Sequence, residues 1–221
     1  MHYHQMRMAD LIGTLSAGWS IRKLEASLKG LFAAWAVYFV STYVALMAGP
    51  YRSEGFPAIF RYFEFFPWLP SDAASTLGMV IWITGIVVSV YLVLNAGLAV
   101  AVIAVEDAGS NTSFMVTDAF RFTRMHRGQL VVSLGVLAAI AGVFIAGLSV
   151  AAAIVRIPVF GEFFLGVCAL PIFLWVMVGA VAFLTFLFGF NTVPAIIASG
   201  ASDVLETAVE AYAVAWSRPV R

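Results

Sequence analysis

Four long apolar runs without charge alternate with polar stretches along the chain. They cover residues 31–49, 73–105, 130–155 and 165–190, bounded by Lys29, Asp72, Glu106, Arg127, Arg156 and Glu162. A bilayer core of about 30 Å takes roughly 20 helical residues to cross, so each run predicts one membrane-spanning helix. The expected spans are 30–49, 77–105, 130–155 and 165–190. The second run exceeds what a crossing needs, so it should tilt or begin as a surface helix. In the fourth, Pro171 should kink or start the helix, and Asn191, Thr192 and Pro194 should mark its end.

The polar stretches carry a weaker periodicity. They predict amphipathic helices lying in the membrane surface at about 20–29, 57–66, 111–127 and 203–217. The last is clearest: Leu205, Val209, Tyr212 and Trp216 recur at helical spacing, and Glu206, Glu210 and Ser217 fall on the opposite side. Ser202 or Asp203 supplies the N-cap, and the early acids suit the helix dipole. In 111–127, Thr117, Arg121 and Arg124 share a polar stripe whose arginines can reach lipid phosphates. The expected fold class is therefore an all-α integral membrane protein. It is read as a single membrane domain over 1–221, with four transmembrane helices plus interfacial amphipathic helices. Four spans put both termini on one side. Nine basic residues lie in the N-terminal segment, the middle loop and the tail, against three on the other side. The orientation expected is N-in and C-in, in a bacterial inner (cytoplasmic) membrane.

Composition agrees with this pattern and narrows the function. Of 221 residues, 62% are hydrophobic and 11% charged, where soluble domains are about a quarter charged. A soluble globular enzyme is excluded, and so is a disordered chain. Twelve basic residues balance twelve acidic ones, which argues against a nucleic-acid partner. Cys168 is alone, so it forms no internal disulfide and is expected to pack as a small hydrophobe. The mixed, polar stretch 1–27 does not resemble a signal peptide.

Candidate chemistry is sparse. The expected spans contain no charge, so no ion path or proton relay is marked. His2, His4 and His126 lie outside them, which excludes paired haem ligation or a buried His-based metal site; His2 and His4 could hold a metal only weakly at a solvated terminus. Asn95 is the strongest intramembrane polar residue, with Thr84 and Ser89 on the same helix. It is read as a hydrogen bond to a neighbouring helix or as a substrate contact. Glu106 and Asp107 mark the water boundary. No metalloprotease, nucleophile-elbow or phosphate-loop motif is present, and no enzyme activity is expected.

Contact surfaces are more plentiful. The loop 49–72 holds eight aromatics in 24 residues: Tyr51, Phe56, Phe60, Tyr62, Phe63, Phe65, Phe66 and Trp68. A short helix over 57–66, ended by Pro67, should lie at the outer interface. Phe60, Phe63 and Trp68 then serve as membrane anchors, as contacts for another membrane subunit, or as a seat for a flat cofactor such as a quinone or carotenoid. On the other side Arg121, Arg124, Tyr212 and Trp216 are the expected partner or lipid contacts. Ala138, Gly142 and Ala146 step by four along the third span, as do Ser149 and Ala153, and Gly85 and Ser89 on the second. Such patterns let helix backbones approach closely.

The polar segments also resemble one another. An offset of 92 pairs Asn111 with Asp203, Asp118 with Glu210, Ala119 with Ala211 and Phe120 with Tyr212. An offset of 98 pairs Lys23 with Arg121, Lys29 with Arg127 and Gly30 with Gly128. The run Pro194-Ala-Ile-Ile-Ala-Ser-Gly, the helix 202–217 and its closing Arg218-Pro219 form one unit. Asp118-Ala119-Phe120-Arg121 with Arg127-Gly128 repeats the idea. Over residues 95–221 this layout resembles a broad group of bacterial multi-span membrane proteins of unknown function, similar to the membrane domain attached to some glycerophosphodiester phosphodiesterases. In that group a further span usually follows such an Arg-Pro, whereas this sequence stops at Arg221. The resemblance implies a membrane-embedded fold and carries over no catalytic residue. The function expected is a non-catalytic accessory or scaffold subunit, held by other membrane subunits and by lipid. The alternative is a lipid or small-molecule transporter component built from a two-hairpin repeat. A third reading is the membrane half of an enzyme without its soluble domain.

Overall fold

The computed structural model describes residues 20–70, 75–109, 114–201 and 203–217. The regular structure among them is entirely helical: α1 (Ile21–Met47), a 3-10 turn (Pro50–Ser53), α2 (Gly55–Phe63), α3 (Thr76–Ala108), α4 (Val116–Val155), α5 (Phe160–Ala198) and α6 (Val204–Ser217). Helices α1, α3, α4 and α5 are long and apolar enough to cross a membrane; the protein is membrane-integral. The chain divides into two compact units, residues 1–123 and 124–221. Helix α4 gives its first two turns to one and the rest to the other.

In the first unit α1 and α3 form an antiparallel hairpin. Ser20 caps α1, its hydroxyl oxygen accepting from the Lys23 amide at 3.3 Å. Ser75 caps α3, accepting from the Gly78 amide at 3.0 Å while donating to the Ala48 carbonyl at 3.1 Å. One hydroxyl thus fastens the start of α3 to the end of α1. Small residues set the spacing between the helices. A methyl on Gly30 would overlap Ala96, one on Gly85 would overlap Ser41, and one on Gly78 would stand 2.8 Å from the Ala45 carbonyl oxygen. Close backbone approach replaces the hydrophobic drive that lipid removes between membrane helices. The first turns of α4 close the unit: Val116 and Ala119 pack on Ala26, Ala99 and Ile103.

The second unit repeats this plan with α4, α5 and α6. Gly189 backs onto Leu137, where a methyl would lie 2.8 Å away, and Gly179 onto Phe144 at 3.0 Å. The Trp175 indole donates to the Phe144 carbonyl at 3.1 Å, with the two rings 4.8 Å apart. On α6 Thr207, Ala208 and Ala211 are buried. The offset of 92 pairs buried Val116 with Ala208 and buried Ala119 with Ala211, and exposed Asp118 with exposed Glu210, though it also sets exposed Met115 against buried Thr207. The offset of 98 does not preserve burial: Gly30 is buried and Gly128 exposed, Lys23 is buried and Arg121 exposed.

Several expected boundaries are corrected. Segments 20–29 and 30–49 are one helix, and so are 116–127 and 130–155. Neither Gly30 nor Gly128 interrupts its helix, since a single glycine costs only about 1 kcal/mol there. Residues 111–113 of the expected surface helix, Ser202, Arg218-Pro219, His2 and His4 lie outside the described residues. At the other junction Asp203 takes the cap position, its carboxylate accepting from the Val204 amide at 2.6 Å. Helix α5 starts at Phe160 rather than at Pro171, and it runs through Asn191 and Pro194 to Ala198. A proline removes one helix hydrogen bond, and packing of Val193, Pro194, Ile196 and Ile197 into the core carries the helix past it. The helix expected at 57–66 is Gly55–Phe63. It stops when Glu64 turns to φ 50, ψ −136, before Pro67 is reached.

The α4–α5 turn stores strain. Val159 has φ 63 and ψ −50, and the Phe160 amide donates across it to the Pro158 carbonyl at 2.7 Å. This is the rare, strained form of the γ-turn, with a β-branched residue at its centre. Val159 is exposed, so its side chain contributes little packing. Val159→Gly should raise stability by about 1 kcal/mol, the relief of strain exceeding the added chain entropy. Thermal unfolding in detergent measures this; a lower midpoint would refute the strain.

Candidate functional site

The polar groups of the first unit gather at the open end of the α1–α3 hairpin. Asp107, in the last turn of α3, meets Arg22 Nη2 at 2.8 Å and Lys23 Nζ at 3.1 Å. Arg22 Nη1 donates to the Phe114 carbonyl at 2.8 Å, just before α4 begins. The Lys23 and Asp107 side chains are only 11% and 16% exposed. One carboxylate thus holds the start of α1 and the end of α3 together, while Arg22 ties in the start of α4. The sequence reading gave Asp107 no more than a boundary role. Gln129 does a comparable job in the second unit. Its amide nitrogen donates to the Ala201 carbonyl at 3.0 Å and to Thr207 Oγ1 at 3.1 Å, anchoring α6 to α4. Periodicity offered no signal for either residue.

Asn95 does not reach across to another helix through its amide nitrogen, which donates to the Tyr91 carbonyl of its own helix at 2.7 Å. Thr84 likewise bonds back to Val80. The interhelical bond in this stretch comes from Ser89, whose hydroxyl lies 3.0 Å from the Ala34 carbonyl and 2.8 Å from that of Gly85.

At the hairpin's turn the aromatic residues divide into two groups. Phe60 and Phe63 face inward, packed against a core of Tyr43, Ala45, Leu46, Ile59 and Leu69. Phe60 stands 6.1 Å from the Tyr43 ring and 5.6 Å from that of Phe65, and Phe63 stands 5.7 Å from Tyr51. They are structural, so of the three expected contacts only Trp68 is exposed. Its exposed neighbours are Tyr62, Phe65 and Phe66. The reversal at Glu64 turns the chain there, and no alternation in the sequence announces it. Three side chains of α1 hold the non-helical segment: Tyr43 donates to the Glu64 carbonyl at 2.7 Å, Trp35 to Phe65 at 3.2 Å and Tyr38 to Pro67 at 2.5 Å.

The short helix α6 has three faces rather than two. Thr207, Ala208 and Ala211 are buried against the unit. Leu205, Val209 and Trp216 form an exposed apolar face, with Trp216 76% exposed. Glu206 and Glu210 occupy a third, exposed side. Tyr212 is half-buried between the first two; its hydroxyl has no hydrogen-bond partner among the described residues, and burial raises its pKa.

Helix α4 carries an open face of small residues. At about 100° per residue, Thr117, Arg121, Arg124, Gly128, Gly135, Gly142 and Ser149 align, and all are exposed. Gly135 with Ala139, Gly142 with Ala146, and Ser149 with Ala153 form three small-xxx-small steps seven residues apart. A methyl built on Gly128, Gly135 or Gly142 would meet nothing within 4 Å beyond the local helix. Gly30, Gly78, Gly85, Gly179 and Gly189, by contrast, are pressed against a neighbour, while Gly97 and Gly166 are open as well. The four-residue ladder from Ala138 is visible in the sequence, whereas the heptad emerges only from the exposed side of the helix. An apolar cleft of about 310 Å³ also opens between α4 and α5, lined by Gly147, Ala151, Phe164, Cys168, Pro171 and Trp175. The Trp175 N–H is already committed to Phe144.

No family model, curated protein or solved structure matches the chain.

The clamp at Asp107 gives a contrast to measure. Asp107→Ala removes both ion pairs from a largely buried position and should cost about 1–3 kcal/mol. Lys29→Ala breaks only the exposed pair with Glu25 and should change stability by no more than about 0.5 kcal/mol. Equal effects on thermal unfolding in detergent would contradict the assignment.

Proposed function

We propose that this protein is a non-catalytic accessory or scaffold subunit of a larger membrane complex, and that a partner's transmembrane helix docks along α4. The open heptad of small residues on α4 carries this reading. Gly30 and Gly85 in the α1–α3 hairpin, and Gly179 and Gly189 on α5, are each filled by a neighbouring helix, whereas Gly97 on α3 and Gly166 on α5 stand open singly. On α4 the same device is built over three heptads and left unfilled. Heptad spacing keeps one face turned toward a partner over the length of a left-handed crossing, and small residues bring the backbones close enough for dispersion to hold them. Arg121 and Arg124 continue the face and supply cations for lipid phosphates or a partner's acids. The exposed Leu205, Val209 and Trp216 face of α6 suits the membrane surface, with the Glu206 and Glu210 side turned to water.

The test is Gly135→Ile with Gly142→Ile. Both sites are exposed, so folding stability should stay within about 0.5 kcal/mol. Co-purification of the partner after gentle solubilisation should fall at least roughly tenfold, equivalent to about 1.4 kcal/mol. A wild-type protein that isolates as a lone, monodisperse homo-oligomer would overturn the reading. It would favour the second one, a lipid or small-molecule transporter component. The observation behind that alternative is the repeated burial of Val116 with Ala208 and Ala119 with Ala211, since internal repeats are common in transporters.

The bias of basic residues supports an N-in, C-in orientation in a bacterial inner membrane. A reporter fused at Glu54 should then read outside and one at Gly109 inside. An outside signal at Gly109 would reverse the topology.

A further inference from the structure

We infer that residues 65–70 form a re-entrant segment, entered at Glu64 and seated inside the bilayer against α1, which presents Phe65, Phe66 and Trp68 to lipid acyl chains. The inference does not depend on the proposed function.

Depth is the first argument. The stretch 31–47 of α1 carries no charge and is about 26 Å long at 1.5 Å per residue. A hydrocarbon core of about 30 Å uses all of it. The excess length of α1 lies at its other end, with Arg22, Lys23, Glu25 and Lys29, so Met47 stands near the edge of the core. Tyr43, Tyr38 and Trp35 precede Met47 by four, nine and twelve residues, roughly 6–18 Å along the axis. Their donors hold the Glu64, Pro67 and Phe65 carbonyls. The chain is at the helix end before this segment, where Phe63 touches Tyr51. It is there again after it, where Ser75 bonds Ala48. Between those points it dips along α1.

Chemistry is the second argument. Non-helical backbone survives in hydrocarbon only if its polar groups are satisfied. The carbonyls of Glu64, Phe65 and Pro67 each receive an aromatic N–H or O–H from α1. Pro67 and Pro70 have no amide N–H, which removes two donors that would otherwise need partners. Residues 65–70 carry no charge. The side chains then divide: Pro67 and Leu69 are buried toward the protein, while Phe65, Phe66 and Trp68 are exposed, Phe66 by 78%. A water-bathed loop would gain little from three aromatic donors aimed at its carbonyls, and it would leave a large apolar patch in solvent.

Cys168 is the only cysteine, so a Cys168→Ala background allows single-site spin labelling. Labels at Phe66→Cys, Trp68→Cys and Glu54→Cys would be compared in vesicles of phosphatidylcholine and phosphatidylglycerol. Collisions with oxygen report hydrocarbon, and collisions with a water-soluble nickel chelate report water. The expected result is oxygen access at positions 66 and 68, with nickel access several-fold below that at position 54. Both replaced aromatics are exposed, so their loss leaves the core intact, and the two sites check each other. Nickel access equal to that at position 54 would place the segment in water and overturn the inference. Low access to both reagents would mean that protein covers the segment, and would overturn lipid as its occupant.

Discussion

A backbone carbonyl or amide in hydrocarbon has no water to bond with, and that constraint organises this protein. It accounts for four long helices that satisfy their own backbones. It also concentrates the exceptions at points where a side chain can stand in. Ser20 and Ser75 accept the amide hydrogens at two helix starts. Arg22 and Gln129 each donate to a carbonyl in the linker before the next helix. Trp35, Tyr38 and Tyr43 do the same for the only long non-helical stretch among the described residues. These polar side chains are few, yet each bonds a backbone group where the helical pattern stops.

Helix association follows from the same solvent. Lipid gives apolar side chains no reason to leave it, so the hairpins rely on contact at close range. Gly30 against Ala96 and Gly85 against Ser41 bring α1 and α3 together; Gly179 and Gly189 do so for α4 and α5. The remaining polar energy is spent at the hairpin's open end, where Asp107 joins α1 to α3.

Element type was legible in the sequence because a charge-free run of about 20 residues has few alternatives in a chain this apolar. The second span, expected over 77–105, is observed at Thr76–Ala108. Boundaries inside a helix were less legible. Charge changes at Lys29 and Arg127 mark where lipid gives way to water, and hydropathy reads that change as a break, though the backbone continues. The internal repeat is visible in one register because Ala119 and Ala211 must both be small to pack. In the other register Gly30 and Gly128 share an identity but not an environment. The aromatic loop was legible as a cluster only. Which rings turn inward depends on the backbone of Glu64, a residue whose side chain gives no hint of a positive φ.

That last point bears on how function should be sought in such a chain. Asn95 drew attention as the strongest polar group in a span, and its amide nitrogen is spent on its own helix. Phe60 and Phe63 belong to the aromatic cluster, yet they pack half-buried against the core. The surfaces left open by packing include residues that carry no chemical signal, such as Gly128, Gly135 and Gly142 on α4. In water, an exposed glycine stripe would count for little, because hydration competes with any partner. In lipid it is a place where another backbone can approach more closely than an acyl chain packs. Specificity between membrane helices can therefore come from where their backbones permit contact.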